Sequence, residues 1–383
     1  MAAALALARE GIGVTVVERN PDLAEDLRGS TWHPPTLDMM AGLGLVEGII
    51  ANGLIARHTA YRDRREGLIA AFDMELLRGE TAHPYRVQCE QFKFTQLVLD
   101  KLAAYPNCRV LFEHQLVGVE QDADTVRVTL DTPGGRTEIS GDYLLGADGS
   151  WSAVRQAIGV EFEGFTFPER FYVASTDFDF KPHFENLHLV NYISDPDEWC
   201  VLLRVPGLWR VLFPTRPEEG DEAVISDAAT ELRLQGVVAR SEPYRTVHRT
   251  VYKVHQRVAT RYRVGRAFLA GDAAHINNPL GGMGMNGGLH DALNLCDKLV
   301  QIHHGRADIA QLDRYERQRR PIAIEYINAN TNRNKKMMEE RDPAVRRRAQ
   351  EEMRRAAEDP AAARETLRKT AMIDALRRAA AVE

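Results

Sequence analysis

Residues 265–300 read GRAFLAGDAAHINNPLGGMGMNGGLHDALNLCDKLV, and this stretch decides the fold. The apolar run at 267–270 is a short strand that delivers an acid, Asp272, into a loop holding Pro279 and glycines 281, 282, 284, 287 and 288. Leu289, Leu293, Cys296 and Val300 then recur at the spacing of one helix face. A glycine-rich loop that opens a helix leaves backbone N–H groups and the positive end of the helix dipole free to meet a ligand that carries or gains negative charge. Singly, Asp272 reads as a helix cap and His275 as a structural histidine; the ordered set of strand, acid, proline, glycines and helix reads as a binding loop.

A second stretch has the same logic. YLLGADGSWSAVRQAIG, residues 143–159, runs a strand into an Asp148-Gly149 turn, with a helix from about Ser152. Asp148 and Arg155 would then stand at the carboxyl end of a strand, where open α/β sheets take their ligands. The third stretch is MAAALALAREGIGVTVVERN, residues 1–20: a helix, a glycine turn, a β-branched strand and an acid, Glu18. That order is the second half of a dinucleotide-binding unit, whose acid receives the ribose hydroxyls about 20 residues beyond the first glycine of GxGxxG. By that count the glycines fall ahead of Met1.

Together these segments resemble the flavin-dependent monooxygenases of the para-hydroxybenzoate hydroxylase type, the group A aromatic hydroxylases, over roughly residues 1–330. The resemblance rests on VTVVER with its ribose acid, GADGSWSAVR as the DG motif, and GRAFLAGDAAHINNPLGGMGMNGG as the GD motif. It implies an α/β fold, in which a Rossmann-like dinucleotide-binding domain is interleaved with an antiparallel-sheet substrate domain and followed by C-terminal helices. It also implies FAD as cofactor and NAD(P)H and O2 as co-substrates of a small aromatic or heteroaromatic substrate that is hydroxylated. Glu18 would hold the adenosine ribose and Asp272 the ribityl chain. Pro279, Gly284, Met285 and Asn286 would border the flavin, the last three through backbone N–H groups at its pyrimidine edge. Asp148 and Arg155 would serve as the DG motif, while Gln91 and Arg28 match the family's cofactor-facing positions more loosely.

The domain division that follows gives the FAD-binding part residues 1–66, 88–163 and 262–330, and the substrate sheet residues 67–87 and 164–261. Residues 331–383, charged and alanine-rich, form a helical tail whose ordinary role is solvated packing or contact in a homodimer. Residues 165–215 alternate as antiparallel strands, and 221–239 read as one helix. His188, Tyr192, Arg204 and Arg210 are the polar residues of the sheet that could reach a substrate, and no catalytic residue is singled out by pattern.

Composition narrows the classes. A 383-residue chain with 44% apolar residues can bury a large core, and a net charge of −6 offers no field for nucleic acid. Four cysteines lie far apart with no metal-ligand spacing, so neither zinc nor a disulfide framework is read and a reducing cytoplasm is the default location. No apolar run reaches the roughly 20 residues of a membrane span. The lack of a glycine loop ahead of the helix-forming residues 2–10 leaves open a start upstream of Met1, or a non-catalytic relic without stable FAD. A flavin-dependent halogenase shares the fold, but no WxWxIP-like segment stands between the two motifs.

Overall fold

The computed structural model describes residues 1–383. Helix α1 (Ala2–Ala8) ends at Gly11 in a left-handed turn and feeds strand β1 (Val14–Val17). After β2 (Thr31–Trp32), two helices, α2 (Pro34–Gly42) and α3 (Val46–Ala51), are separated at left-handed Gly44. Next come β3 (Leu54–Ala56), a hairpin of β4 (His58–Asp63) and β5 (Gly67–Asp73), and β6 (Arg86–Gln88). Helix α4 (Gln91–Leu102) buries Phe94, Val98 and Leu102, the face set by its helical spacing. Strand β7 (Cys108–Leu111), a meander of β8 (Gln115–Gln121), β9 (Val126–Thr132) and β10 (Gly135–Gly141), and β11 (Leu144–Gly146) lead into helix α5 (Ala153–Ala157).

The middle of the chain supplies β12 (Phe162–Thr176), β13 (Val190–Ser194), β14 (Cys200–Val205) and β15 (Leu208–Pro214). Helices α6 (Asp221–Val224) and α7 (Asp227–Val237) replace the single helix expected at 221–239. The break is at Ser226, whose hydroxyl accepts from the Ala229 N–H and so starts a new helix. Long strand β16 (Thr246–Ala259) precedes β17 (Arg263–Val264), β18 (Ala267–Leu269) and β19 (His275–Ile276). Helix α8 (Met283–His303) follows the glycine loop, and α9 (Asp313–Pro321), α10 (Asn328–Glu339), α11 (Pro343–Glu358), α12 (Pro360–Thr370) and α13 (Ile373–Ala380) complete the chain.

Parallel pairing joins β1 to β7 and β11 to β18, and in the eight-stranded sheet it joins β13 to β4, so that sheet is antiparallel except at this one pair. The substrate side is an eight-stranded sheet in the order β19-β16-β12-β15-β14-β13-β4-β5. It takes in the whole hairpin 58–73, so the boundary drawn between residues 66 and 67 falls inside that hairpin. Its two faces are separate cores: Tyr172, Leu202, Trp209 and Phe213 pack against α6 and α7, whereas Phe171, Val173, Val201 and Leu212 pack toward Leu280 and Met338. A small third sheet, β2-β6-β3, lies between the two sides.

The tail is helical as expected, but it is built into the body. Ala363, Leu367 and Ala371 join Ile69, Phe72 and Met74 in one core, and Glu80 takes Arg364 and Arg377 as ionic partners. Burial raises the Glu80 carboxyl, and the bonds from Arg364 and Arg377 outweigh it and hold the group below its usual range. No helix is long and apolar enough to cross a membrane.

Candidate functional site

Strand β18, fully buried, brings Gly271 and Asp272 to its carboxyl end. Asp272 is exposed to solvent; desolvation by the protein around it raises its carboxyl while His275 and Arg28 pull the other way. The Gly282 N–H donates to the Pro279 carbonyl (3.0 Å), closing a turn that places Gly281 and Gly282 at positive φ. Gly282 is the N-cap of α8 and no side chain caps that end, so the first amides of the helix, among them those of Gly284 and Met285, are left for a ligand.

Beside its backbone amide, Asn286 has a second use. Its side chain is fully buried and spent on the protein: Oδ1 accepts from the His33 N–H (2.9 Å), and Nδ2 donates to the carbonyls of Thr31 (2.8 Å) and Gly282 (2.7 Å). It clamps the start of α8 to the segment joining β2 and α2. Gly287 and Gly288 are likewise packing positions inside the helix rather than donors in a loop. A Cβ on Gly288 would stand 2.9 Å from the Gly271 Cα, and one on Gly287 would stand 3.0 Å from Ile327 and 3.2 Å from His275.

Beneath this loop lies a buried ionic cluster. Asp291 accepts from Arg319 Nε (2.7 Å) through one oxygen, and from His275 Nε2 (2.9 Å) and the Gly271 N–H (3.2 Å) through the other. Burial works to raise this carboxyl, and the Arg319 and His275 partners outweigh it and hold it below its usual range. His275 is thus a structural histidine. Asp291 and Arg319 escaped the motif reading, although an acid on the apolar side of a helix, between Leu289 and Leu295, is itself a signal of a buried partner.

In the DG segment the Asp148 carboxylate accepts from the Val154 N–H (3.0 Å), and Ser152 caps α5. Arg155 donates to the Ala273 carbonyl (2.9 Å) and the Ser150 carbonyl (2.8 Å), with Phe162 stacked 3.9 Å from its guanidinium. Its side chain therefore ties the DG turn to the GD loop and faces protein on every side.

Three distant segments meet at α8. Gln91, exposed at the first turn of α4, abuts Gly29: a Cβ there would stand 2.7 Å from Gln91 Oε1 and 3.3 Å from Met285 Sδ. Gly29, at φ 58°, is glycine for that reason. Neighbouring Arg28 is exposed and bonds Asp26 (2.6 Å). Glu18, just past β1, uses one oxygen to accept from Asn20 N and Nδ2 (2.8 Å each).

Strand register sorts the sheet residues. Tyr192 and Arg210 share the face of Val201 and Leu212, which looks toward the glycine loop; Arg210 Nη1 donates to Ser30 Oγ (3.3 Å). Arg204 points to the opposite layer, where it lies 5.5 Å over Trp209. His188 precedes β13 and stacks on His58 at 4.6 Å, at the rim of a surface hollow of about 610 Å³. The pattern had missed Ser175 and His248, which share one rung of the sheet with Arg210: Ser175 sits in the middle and pairs with Arg210 on one side and His248 on the other, and each of the three has a buried polar atom without a partner.

An acid just past β1, an exposed acid just past β18, and uncapped helix amides beside the Gly29, Gln91 and Met285 junction fit a dinucleotide cofactor laid along the parallel strands. Residues 1–330 match the family model described as FAD binding domain. The chain belongs to that family. It is 34% identical over 373 residues to para-nitrophenol 4-monooxygenase from a Pseudomonas species, covering 95% of this chain and 91% of that protein. It is 33% identical to 6-hydroxy-3-succinoylpyridine 3-monooxygenase from Pseudomonas putida, over 86% of this chain and 84% of the relative. The crystal structure of a p-nitrophenol 4-monooxygenase from Pseudomonas putida superposes with a TM-score of 0.92 at 30% identity, over 98% of this chain and 94% of the other. This member of the FAD-binding family is an FAD-dependent monooxygenase, an oxidoreductase of aromatic rings, and the relic and halogenase readings are not favoured.

Proposed function

We propose that the chain hydroxylates a small phenol or hydroxypyridine, using NAD(P)H and O2. The observation that carries this is the meeting of Gly29, Gln91 and Met285 at the uncapped start of α8, directly below the apolar inward face of the eight-stranded sheet. The chemistry that FAD supplies when bound is electron transfer from NAD(P)H to O2 and delivery of one oxygen atom to an electron-rich ring, the other leaving as water.

The chain's own residues hold and orient. Glu18 takes the ribose hydroxyls through its free carboxylate oxygen, Asp272 takes the sugar-alcohol chain, and Asp148 and Arg28 flank the cofactor. The amides of Gly284, Met285 and Asn286, at the positive end of α8, stabilise negative charge on the pyrimidine edge, with Pro279 and Gln91 shaping the border. Arg155 keeps the two loops in register. Val173, Val201, Leu212 and Tyr192 form a dry, flat wall for the substrate ring. Burial raises the Tyr192 hydroxyl pKa, so it acts as a neutral hydrogen-bonding group. We take the location to be cytoplasmic, on the four unpaired thiols.

The purified chain is expected to carry, or take up, a yellow flavin spectrum, and NAD(P)H oxidation is expected to speed up with 4-nitrophenol or a hydroxypyridine. A colourless protein that binds no added FAD, or a flavin-loaded one indifferent to the whole phenol and pyridine panel, sinks this reading.

A further inference from the structure

Among the buried cations, Arg86 stands apart. It is 2% exposed, and Nη2 makes a long contact to the Thr370 carbonyl (3.4 Å); apart from an approach to the neutral Tyr192 hydroxyl, Nε and Nη1 have no partner, and no carboxylate is among its contacts. Two other buried cations are better supplied with acceptors. Arg319 has Asp291, and Lys298 places Nζ on Gln318 and twice on Asn294. A lysine can also shed its proton, whereas a guanidinium cannot. A buried charge without a counter-ion is costly enough that folds pair it. The titratable groups that feel Arg86 are Tyr61, Tyr192 and His33, with the cation Arg333 also acting on Tyr61, and none supplies negative charge: burial pushes Tyr61 up to about 12, raises Tyr192, and lowers His33 so that its ring is neutral.

Placement says what the missing partner is. On β6, Arg86 and Gln88 share one strand face while Val87 enters the core below, and Gln88 Nε2 is a second buried donor without an acceptor. Arg86 pairs across the strand with Ala56, which belongs to the same apolar core as Tyr192 and Leu280. Tyr61 and Tyr192 stack at 5.3 Å beside it. Two unsatisfied donors, one of them a fixed positive charge, thus border the flat wall assigned above to the substrate ring. We propose that Arg86, with Gln88 beside it, is the seat of an anionic oxygen on the substrate, so that the ring is bound as its phenolate. This rests on the reading of the chain as an aromatic hydroxylase and names its substrate class.

The test uses the FAD-loaded full chain with two probes, 4-nitrophenol, whose colour reports its ionisation, and 4-nitroanisole, its uncharged counterpart. The parent is expected to hold 4-nitrophenol as the coloured phenolate at a pH where the free dye is protonated. Arg86→Met is expected to weaken the phenolate by roughly 10- to 100-fold, the loss of one charge-assisted contact, and to leave 4-nitroanisole binding and the flavin spectrum unchanged. Equal weakening of both probes, or loss of flavin, assigns Arg86 to packing or to the cofactor and overturns the proposal, as does unchanged phenolate binding. Should Arg86→Met not fold, Arg86→Lys keeps the charge and is expected to keep the preference for phenolate over anisole; its loss with the fold intact also overturns it. A chain that takes up no FAD refutes the hydroxylase reading instead, a result visible before any dye is added.

Discussion

The two sides of the cleft are finished to different degrees. On the cofactor side both oxygens of Asp291, both Nη atoms of Arg155 and the whole side-chain amide of Asn286 are bonded; the atoms left over there are ring nitrogens of His33, His275 and His290, amide atoms of Asn277 and Asn278 and the Tyr262 hydroxyl, with no guanidinium nitrogen among them. On the substrate side Arg86, Gln88, Arg210, Ser175 and His248 all keep unbonded donors or acceptors. On the reading proposed above, the cofactor half is held by the chain's own ionic cluster, whereas the other half keeps an unpaired positive charge for what it binds.

The largest effect should come from breaking the finished half. Asp291→Ala leaves Arg319 and His275 buried without their acceptor, and a loss of about 3–5 kcal/mol in unfolding free energy is expected by denaturant titration. A change below about 1 kcal/mol would show that the cluster is dispensable. Asn286→Ala removes three hydrogen bonds and frees the start of α8; a loss of about 2–3 kcal/mol is expected, together with weaker flavin uptake by fluorescence.

A smaller effect concerns Lys298, which has neutral partners only. Burial lowers its ammonium from 10.5 to about 8. Below that pH both folded and unfolded chains carry the charge, and the folded one bears the full cost of burying it. As pH rises from about 8 to about 10 the folded chain loses the proton first, so it binds fewer protons than the unfolded chain and gains stability. The parent should therefore improve relative to Lys298→Met across that window, in melts taken at several pH values; a flat difference would mean the ammonium titrates normally. The smallest effect belongs to the open half: Ser175→Ala removes a hydroxyl without a partner, so stability should stay within about 0.5 kcal/mol. A marked loss would place Ser175 with the finished half.

Much of this was legible because the signals are local. Strand, acid, glycines and helix at 265–300, and the Asp148 turn with its cap at Ser152, follow from spacing within a few residues. What escaped depends on partners elsewhere in the chain. Arg204 and Arg210 look equivalent in sequence, yet the register of β14 against β15 sends one to each face. Gly287 and Gly288 belong to a glycine run, but only the approach of Gly271 and Ile327 shows why they lack side chains. The tail looked solvated because its apolar residues are sparse; its burial comes from the hairpin 58–73, some 300 residues upstream.

The two-core sheet has a consequence for change over time. Along β12, β14 and β15 alternate residues serve separate duties: Val173, Val201 and Leu212 form the face proposed above as the wall against the ring, while Ala174, Leu202, Val211 and Phe213 hold the helices behind. A point replacement in the first set reshapes the space offered to a ring and leaves the second layer's packing in place. Selection for a new pollutant or metabolite can therefore proceed one residue at a time without first rebuilding the scaffold.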